Sequence, residues 1–529
     1  MIAIYRNFFK YDARQQKSAH VIDRIQGGLT PAYREVERKD ISRKIVAVQC
    51  VDDCFYLGLF GMIAADLRAR DGVGVQTVFT RSLESAFGNG LKARISRSLF
   101  LTELLNRKLS VMNRVLGVGL GYASRSIGDV LFWTYDYVRA IAVIRKARNV
   151  GSIADLRIDG ILIGDLVIDT YLRFKPSPSF DVTDKFVIDI MIQAFRDLRK
   201  ARRYFSRSDI SLYLSTYSTY VQHGVPVRAA LRADVPVYVF PGYVKRLSKD
   251  DFFQSTSASG YRTAFDGLSN KTDRLCEAEC GLLKRMNGEI DQALFYMRSS
   301  SYSHSSCYLT DDYKGAVIVF LHDFYDSPHC YHDMVFDDFW SWIECTIETL
   351  RGLSIKFFLK PHPNQIEQSD EAVAALKSKY PFVEFVPSEI NNRDLFASEP
   401  ICGVTVYGTV AHELAYMGIP TICCARHPHH SFDFCRTASS REEYVNFLSS
   451  PSVKPIDAEE MRSQALAFYY MHNIYQGEEQ VEFRKKMIAA FKVSDDHLDS
   501  GDKLFDSLVE IRSSVGYSKL LSGLSQELA

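Results

Sequence analysis

The histidines, carboxylates and glycine turns that could do chemistry in this chain gather in a few short stretches, each placed after an apolar run. In FLKPHPNQ (358–365), His362 stands between Pro361 and Pro363. Proline locks its own φ and biases the residue before it toward extended geometry, so the imidazole sits in a stiff loop. Such a ring can stabilise charge that develops on a departing anion. In VTVYGTVAHELAYMGIPTICC (404–424), Gly408-Thr409 turns a strand into a helix that Gly418 and Pro420 then stop. The unpaired amides at such a start, with the helix dipole behind them, suit a phosphate. The Thr409 hydroxyl could cap the helix or donate to that phosphate, and Glu413, one turn in, could accept from ribose hydroxyls. An ordinary strand–turn–helix capped by Thr409 fits the same residues.

Three further loops add polar groups. LHDFYDSPH (321–329) places His322, Asp323, Asp326, Ser327 and His329 at a strand's carboxyl end, the usual place for donor contacts. ARHPHHSFDF (425–434) clusters His427, His429 and His430, where the base or ribose of a nucleotide is a plausible target. YSTYVQHGVPVRAALR (217–232) offers His223 as a general base for an acceptor hydroxyl, with Asp326 in reserve. Arg228 in that stretch, and Arg173 at the end of DGILIGDLVIDTYLR (159–173), fit an anionic acceptor or structural salt bridges. No histidine–carboxylate spacing follows a strong metal template, and the i,i+4 pairs Cys50/Cys54 and Cys276/Cys280 have no matching second pair. No metal is expected.

These loops require a scaffold of strand ends. The chain has 529 residues, too many for one ordinary core. IVAVQC (45–50), VGVQTVF (73–79), DVLFWTY (129–135), GILIGDLVI (160–168), ISLYLS (210–215) and VPVYVF (235–240) read as strands, with the helix FVIDIMIQAFRDLRKARRYF (186–205) among the connections. Residues 241–312 are polar and irregular, with MRSSSYSHSS (297–306) as linker. A second series follows: AVIVFLH (316–322), IKFFLK (355–360), FVEFV (382–386), ICGVTVY (401–407) and TICC (421–424) as strands, 337–352 and 409–418 as helices. SSREEYVNFL (439–448) opens on a capping box. Alternation of this kind predicts an α/β fold: two doubly wound Rossmann-type domains facing a cleft, GT-B-like, with a C-terminal helical extension. The expected division is an N-terminal extension (1–43), an acceptor-binding domain (44–300), a donor-binding domain (301–450) and a helical extension (451–529).

Lys+Arg and Asp+Glu both number 64, so no global field favours nucleic acid. The 11 cysteines are scattered, which suits a reducing compartment. The first residues lack a secretory h-region and no apolar run reaches membrane-spanning length. A cytoplasmic protein is expected. The basic stretches 93–117 and 195–209 could lie on anionic lipid, which makes contact with the inner face of the plasma membrane a secondary expectation.

Taken in order, FLHDFYDSPH, FDDFWSWIECTIETL, FLKPHPNQ and GTVAHELAYMGIP, with GILIGDLVIDTYLR and the QHG loop before them, resemble capsular-polysaccharide biosynthesis glycosyltransferases of the GT-B type. The likeness spans about 160–450. It implies a sugar-nucleotide donor and a growing bacterial surface glycan (capsule or lipopolysaccharide) as acceptor, with no cofactor. By that resemblance His362, Gly408 and Thr409 bind the donor phosphate, Lys360 counts among the donor-binding residues, and the helix glutamate maps to Glu413. The His-Gly element is also similar to that of polyol-phosphate transferases, where the histidine, here His223, is the base. CMP-, UDP- and CDP-linked donors all remain open. A nucleotide-sugar epimerase of the same architecture, or a non-catalytic binding subunit of capsule assembly, are the rival expectations.

Overall fold

Strand β1 (Ile45–Cys50) is buried along almost its whole length and pairs in parallel with β2 (Gly74–Phe79) on one side and β6 (Ile210–Ser215) on the other. Near-continuous apolar runs of this type suit a parallel sheet covered on both faces. With β3 (Gly119–Ala123), β7 (Val237–Val239) and β8 (Lys245–Leu247) they form a six-stranded sheet ordered β3-β2-β1-β6-β7-β8, antiparallel only at β7/β8. A hairpin of β4 (Arg157–Ile158) and β5 (Ile161–Leu162) stands apart. The second sheet holds β9 (Val317–Phe320), β10 (Phe357–Lys360), β11 (Glu384–Phe385), β12 (Cys402–Val404), β13 (Thr421–Cys423) and β14 (Cys435–Thr437), in the order β11-β10-β9-β12-β13-β14 and parallel throughout. This computed structural model describes residues 43–51, 53–80, 119–123, 129–150, 152–175, 177–255, 259–289, 302, 311–362, 367–475, 478–495 and 501–529, with His20, Val21 and Arg24.

Each sheet is covered on both faces. Helices Gly164–Phe174, Lys185–Phe205 and Val221–Arg232 pack one face of the first. Helix Cys54–Asp71 packs the other, under a layer formed by Glu478–Asp495, Asp502–Arg512 and Val515–Leu528. Sandwiched in this way, Cys54–Asp71 is apolar around most of its circumference, as a fully buried helix must be. The second sheet lies between Phe339–Gly352 and Arg441–Ser449 on one face and Lys271–Met286, Val410–Tyr416 and Ala458–Tyr469 on the other. Two doubly wound α/β domains therefore make up the described chain.

The packing differs from the expected division at two places. Lys271–Met286, expected within 44–300, buries Ala278, Leu282 and Met286 in the core of the second sheet. The last helices, expected as an extension, return to the first sheet and bury Leu504, Leu508, Ile511 and Leu524 against it.

Two expected strands are helical. DVLFWTY opens the helix Asp129–Val150, whose inward residues Asp136, Ala140, Ile144 and Ala147 recur every three to four positions. The aromatic run looks extended only in a short window. Of GILIGDLVI, only Ile161–Leu162 is strand; the helix Gly164–Phe174 begins at once, and its sides are nearly all buried, which erases the amphipathic signal. The capping box is formed: Ser440 accepts from the Glu443 amide at 3.2 Å, while Glu443 accepts from the Ser439 amide at 2.7 Å. Of the linker 297–306 only Tyr302 falls within the described residues, as does none of the basic stretch 93–117. Within 195–209, Arg199, Lys200, Arg202 and Arg207 pair with Asp136, Asp129, Asp159 and Asp209, which neutralises much of the face expected to meet lipid.

Candidate active site

Strand order reverses between β1 and β6 in the first sheet and between β9 and β12 in the second. The crevice outside the carboxyl ends at such a switch point is where open α/β sheets take ligands. A histidine stands at each.

At the first, His223 lies in the opening turn of helix Val221–Arg232 rather than in a loop, and is 9% exposed. Gln49 of β1 binds it. The Gln49 Oε1 accepts from the Thr216 backbone amide at 2.9 Å and from the Thr216 and Ser215 hydroxyls at 2.8 and 2.9 Å. A backbone amide can only donate, so the oxygen is fixed at that end and the Gln49 Nε2 faces Thr80 Oγ1 (2.7 Å) and His223 Nδ1 (2.9 Å). The Nδ1 lone pair is thereby used, and the ring proton belongs on Nε2. Burial pushes the His223 pKa down to about 3, so the ring is neutral. Its remaining atom is a donor. A ring in this state gives a hydrogen bond to a ligand oxygen and has no lone pair for the proton of an acceptor hydroxyl, unlike the base expected from sequence. Gly224 is needed here for close approach: a Cβ would lie 2.4 Å from the Leu166 side chain and 2.6 Å from the Ser218 carbonyl.

At the second switch point, His322 follows β9. Its Nε2 accepts from the Val406 amide at 3.3 Å and contacts Thr405 Oγ1 at 3.0 Å. Thr405 Oγ1 in turn accepts from the Gly408 amide at 3.3 Å, so its own proton points to the imidazole. The His322 proton is therefore on Nδ1, which has no partner among the described residues. The ring stacks on Phe339 at 4.8 Å and meets the edge of Tyr407 at 4.7 Å. Burial, and then nearby His362, push its pKa to about 3.

His362 does not sit beside the helix at 410. Strand β9 lies between β10 and β12, so His322 separates the His362 loop from the Gly408 turn. Burial lowers the His362 pKa, and Asp323 opposes that shift. Lys360, at the end of β10, is 8% exposed and donates to the Ile390 carbonyl at 2.7 Å. Burial brings its pKa to about 8. The Gly408 amide is already engaged by Thr405, and a Cβ at Gly408 would lie 2.7 Å from the Thr405 hydroxyl. Thr409 caps no helix amide, so its hydroxyl is available. It lines an interdomain cavity of about 710 Å³ together with Tyr331, Pro428, Tyr238, Tyr243 and Arg484.

Other expected ligands are committed to the fold. Glu413 is 1% exposed, ion-paired to Arg285 at 2.6 Å and hydrogen-bonded by Tyr302, so it does not offer itself to a ribose. Arg228 is forked onto Asp165 at 2.6 and 2.5 Å, donates to the Leu162 carbonyl and packs on Phe252, which removes it from the acceptor site. His429 is buried against Phe434 and His427, its pKa held well below the ordinary value by burial. His430 is partly exposed and donates from Nδ1 to the His427 carbonyl at 2.9 Å.

The loop after β9 joins the domains. Its Asp326 is exposed, yet the protein around it, and Asp323, raise the carboxyl pKa against a hydrogen bond from the Ser327 amide. Arg173 is exposed and close enough to Asp326 to oppose that rise, and makes no side-chain hydrogen bond among the described residues. Tyr220 completes this corner with φ +60° and ψ 153°, a conformation costing about 1–3 kcal/mol that clusters at functional sites. Nearby, His329 Nδ1 and Asp169 Oδ1 lie 2.8 Å apart across the interface. Burial lowers the His329 pKa, but Asp169, then Asp165 and Asp337, carry it above its ordinary value. Gln49 and Tyr220 were not singled out from sequence, and His329, named there as a loop residue, was not paired with Asp169. Only Gln49, a polar amide inside an apolar run, carried a readable signal.

The chain matches no known family model and no curated protein. Among solved structures it is similar to the KpsC β-Kdo 2,4-transferase of Thermosulfurimonas dismutans, at 13% identity over 49% of this chain and 80% of that one, with TM-score 0.30. It is also similar to the S. aureus MnaA–UDP structure (10% identity, 86% and 98% covered, TM-score 0.25) and to Acinetobacter baumannii MurG (10%, 80% and 95%, 0.22). At these TM-scores the likenesses carry no argument about the site, and the fold is read from the strand orders above.

Proposed function

We propose that this chain is a GT-B glycosyltransferase that moves a sugar from a nucleotide-sugar donor to a bacterial surface glycan, capsule or lipopolysaccharide, with no metal at the reacting centre. The reading rests on one observation: each sheet ends, at its switch point, in a neutral histidine with one ring N–H unspent, and the loop after β9 joins these two ends through Asp326, Tyr220 and Arg173. In this proposal the donor pyrophosphate lies on the second domain. The Nδ1–H of His322, the Thr409 hydroxyl, the Gly408 turn and the His362 loop meet it, and the charge of Lys360 favours it from behind. The acceptor lies on the first domain, with Arg173 toward an anionic group and the His223 Nε2–H toward an oxygen. Asp326 takes the acceptor proton, since a carboxylate with a raised pKa is the better base.

A lipid-linked acceptor would bring the protein to the inner face of the plasma membrane; no described helix is long and apolar enough to cross one. The test is a thermal-shift panel of CMP, UDP and CDP, followed by sugar release from the preferred donor with and without glycan. The expected result is stabilisation by one nucleotide and release that depends on glycan. Stereochemical conversion of the donor with no acceptor present would make the chain an epimerase, and nucleotide binding with no turnover would make it a binding subunit.

A further inference from the structure

The loop that carries Pro428 into the cleft is closed at its base by four soft or borderline ligands. Cys423 ends β13 and Cys435 begins β14, its parallel neighbour; His427 and His429 come from the loop between them. One ligand atom from each of the four lies within 4.8 Å of all the others, and three of the residues are buried. We propose that Cys423, His427, His429 and Cys435 form a structural zinc site that fixes this loop.

The chemistry of the set fits. Two thiolates and two imidazoles are a tetrahedral zinc donor set, and four protein ligands leave no open position for a reaction. Bond lengths of ~2.3 Å to sulfur and ~2.0–2.1 Å to nitrogen imply ligand atoms about 3.3–3.8 Å apart. His429 Nε2 and Cys435 Sγ are already 3.4 Å apart, and none of the other ligand-atom separations exceeds 4.8 Å. The two imidazoles stack with centroids 3.5 Å apart, and each has a buried Nδ1 without a partner. An orphaned buried polar atom has lost its water without a replacement partner, which is costly. A metal accounts for the one on His427: its Nε2 contacts Thr437 Oγ1 at 2.8 Å, and donation there leaves the Nδ1 lone pair for the ion, as metal-bound histidines commonly arrange. His429 would ligate through Nε2. Its Nδ1 stays unpartnered in either case.

The ion would act on loop shape. It ties residues 423 and 435 at the sheet to the turn holding Pro428, which lines the interdomain cavity, and His430, which hydrogen-bonds the His427 carbonyl. This inference is independent of the reaction proposed above, because its readouts need no substrate.

The test uses the full chain, purified under reducing conditions and desalted, with bound metal measured by plasma mass spectrometry. About one zinc per chain is expected. The apo protein, made with a chelator, should have a lower Tm that zinc chloride restores and magnesium chloride does not. Cobalt(II) added to that apo protein should give the visible bands of a tetrahedral, thiolate-bound ion, a readout on the unmutated chain. A Cys423→Ser, Cys435→Ser variant should lose the metal and the cobalt spectrum together. Sub-stoichiometric zinc that chloride salts do not replenish, cobalt bound without thiolate bands, or a Cys423–Cys435 disulfide would each overturn the site.

Discussion

The two switch points occupy the same place in their sheets and hold the same side chain, yet they hand opposite faces of it to the cleft. Both imidazoles are neutral, with burial pushing each to about 3. At the first, Gln49 donates to Nδ1 and leaves the proton on Nε2. At the second, Val406 and Thr405 occupy Nε2 and leave the proton on Nδ1. Topology makes the crevice, but the neighbouring donors choose the tautomer, and the tautomer decides whether a histidine can accept a proton. A histidine at a switch point is thus not by position a base.

The comparison breaks most readily at Asp326. If the carboxylate, and not His223, takes the proton, Asp326→Asn should lower the transfer rate by about 10²–10⁴-fold with nucleotide affinity kept; single-turnover kinetics beside nucleotide titration measure both. A loss confined to binding would return the base to the first switch point. Next in size is the contrast between committed and available cations. Arg285→Ala leaves Glu413 buried and unpaired and should cost about 3–5 kcal/mol in urea unfolding, whereas Arg173→Ala should stay within about 0.5 kcal/mol.

The shared burial of the two rings has a pH signature. Their folded pKa values lie below the ordinary 6.5, so the native state binds fewer protons than the unfolded chain as pH falls. Their contribution is whole above about pH 6.5 and is lost down to about pH 3, by at most ~1.4 kcal/mol per pH unit for each ring. Denaturation midpoints at pH 7 and 5 should therefore converge in a His223→Gln, His322→Gln double variant; an unchanged gap would mean that neither ring is neutral. The smallest expected effect is His223→Gln on turnover. An amide keeps a donor near the lost Nε2–H, so a decrease of about tenfold or less is expected at saturating acceptor, against the 10²–10⁴-fold that removal of a base would give.

Much of the scaffold was legible. The runs 45–50 and 210–215 are strands over those same residues, because a β-rich apolar run between polar segments has few other uses in a buried sheet. Two apolar runs of similar length, 129–135 and 160–168, went the other way, and nothing within such short windows separates a buried helix from a strand. The site loops were legible as loops after strands. What their side chains bind was not: Glu413 and Arg228 look available in sequence, and each is consumed by a partner more than 60 positions away, Arg285 and Asp165.

The amino-acid order by itself determined where most strands and the 439–443 capping box fall and which loops carry histidines, since φ restriction, alternation and capping act over a few residues. Only the tertiary structure decided which nitrogen of each histidine is protonated, which carboxylates are spent, and that Cys423 and Cys435 meet two imidazoles. Those outcomes depend on groups brought together by strand order and domain packing, and a buried charge or hydrogen bond takes its character from whatever the fold places beside it.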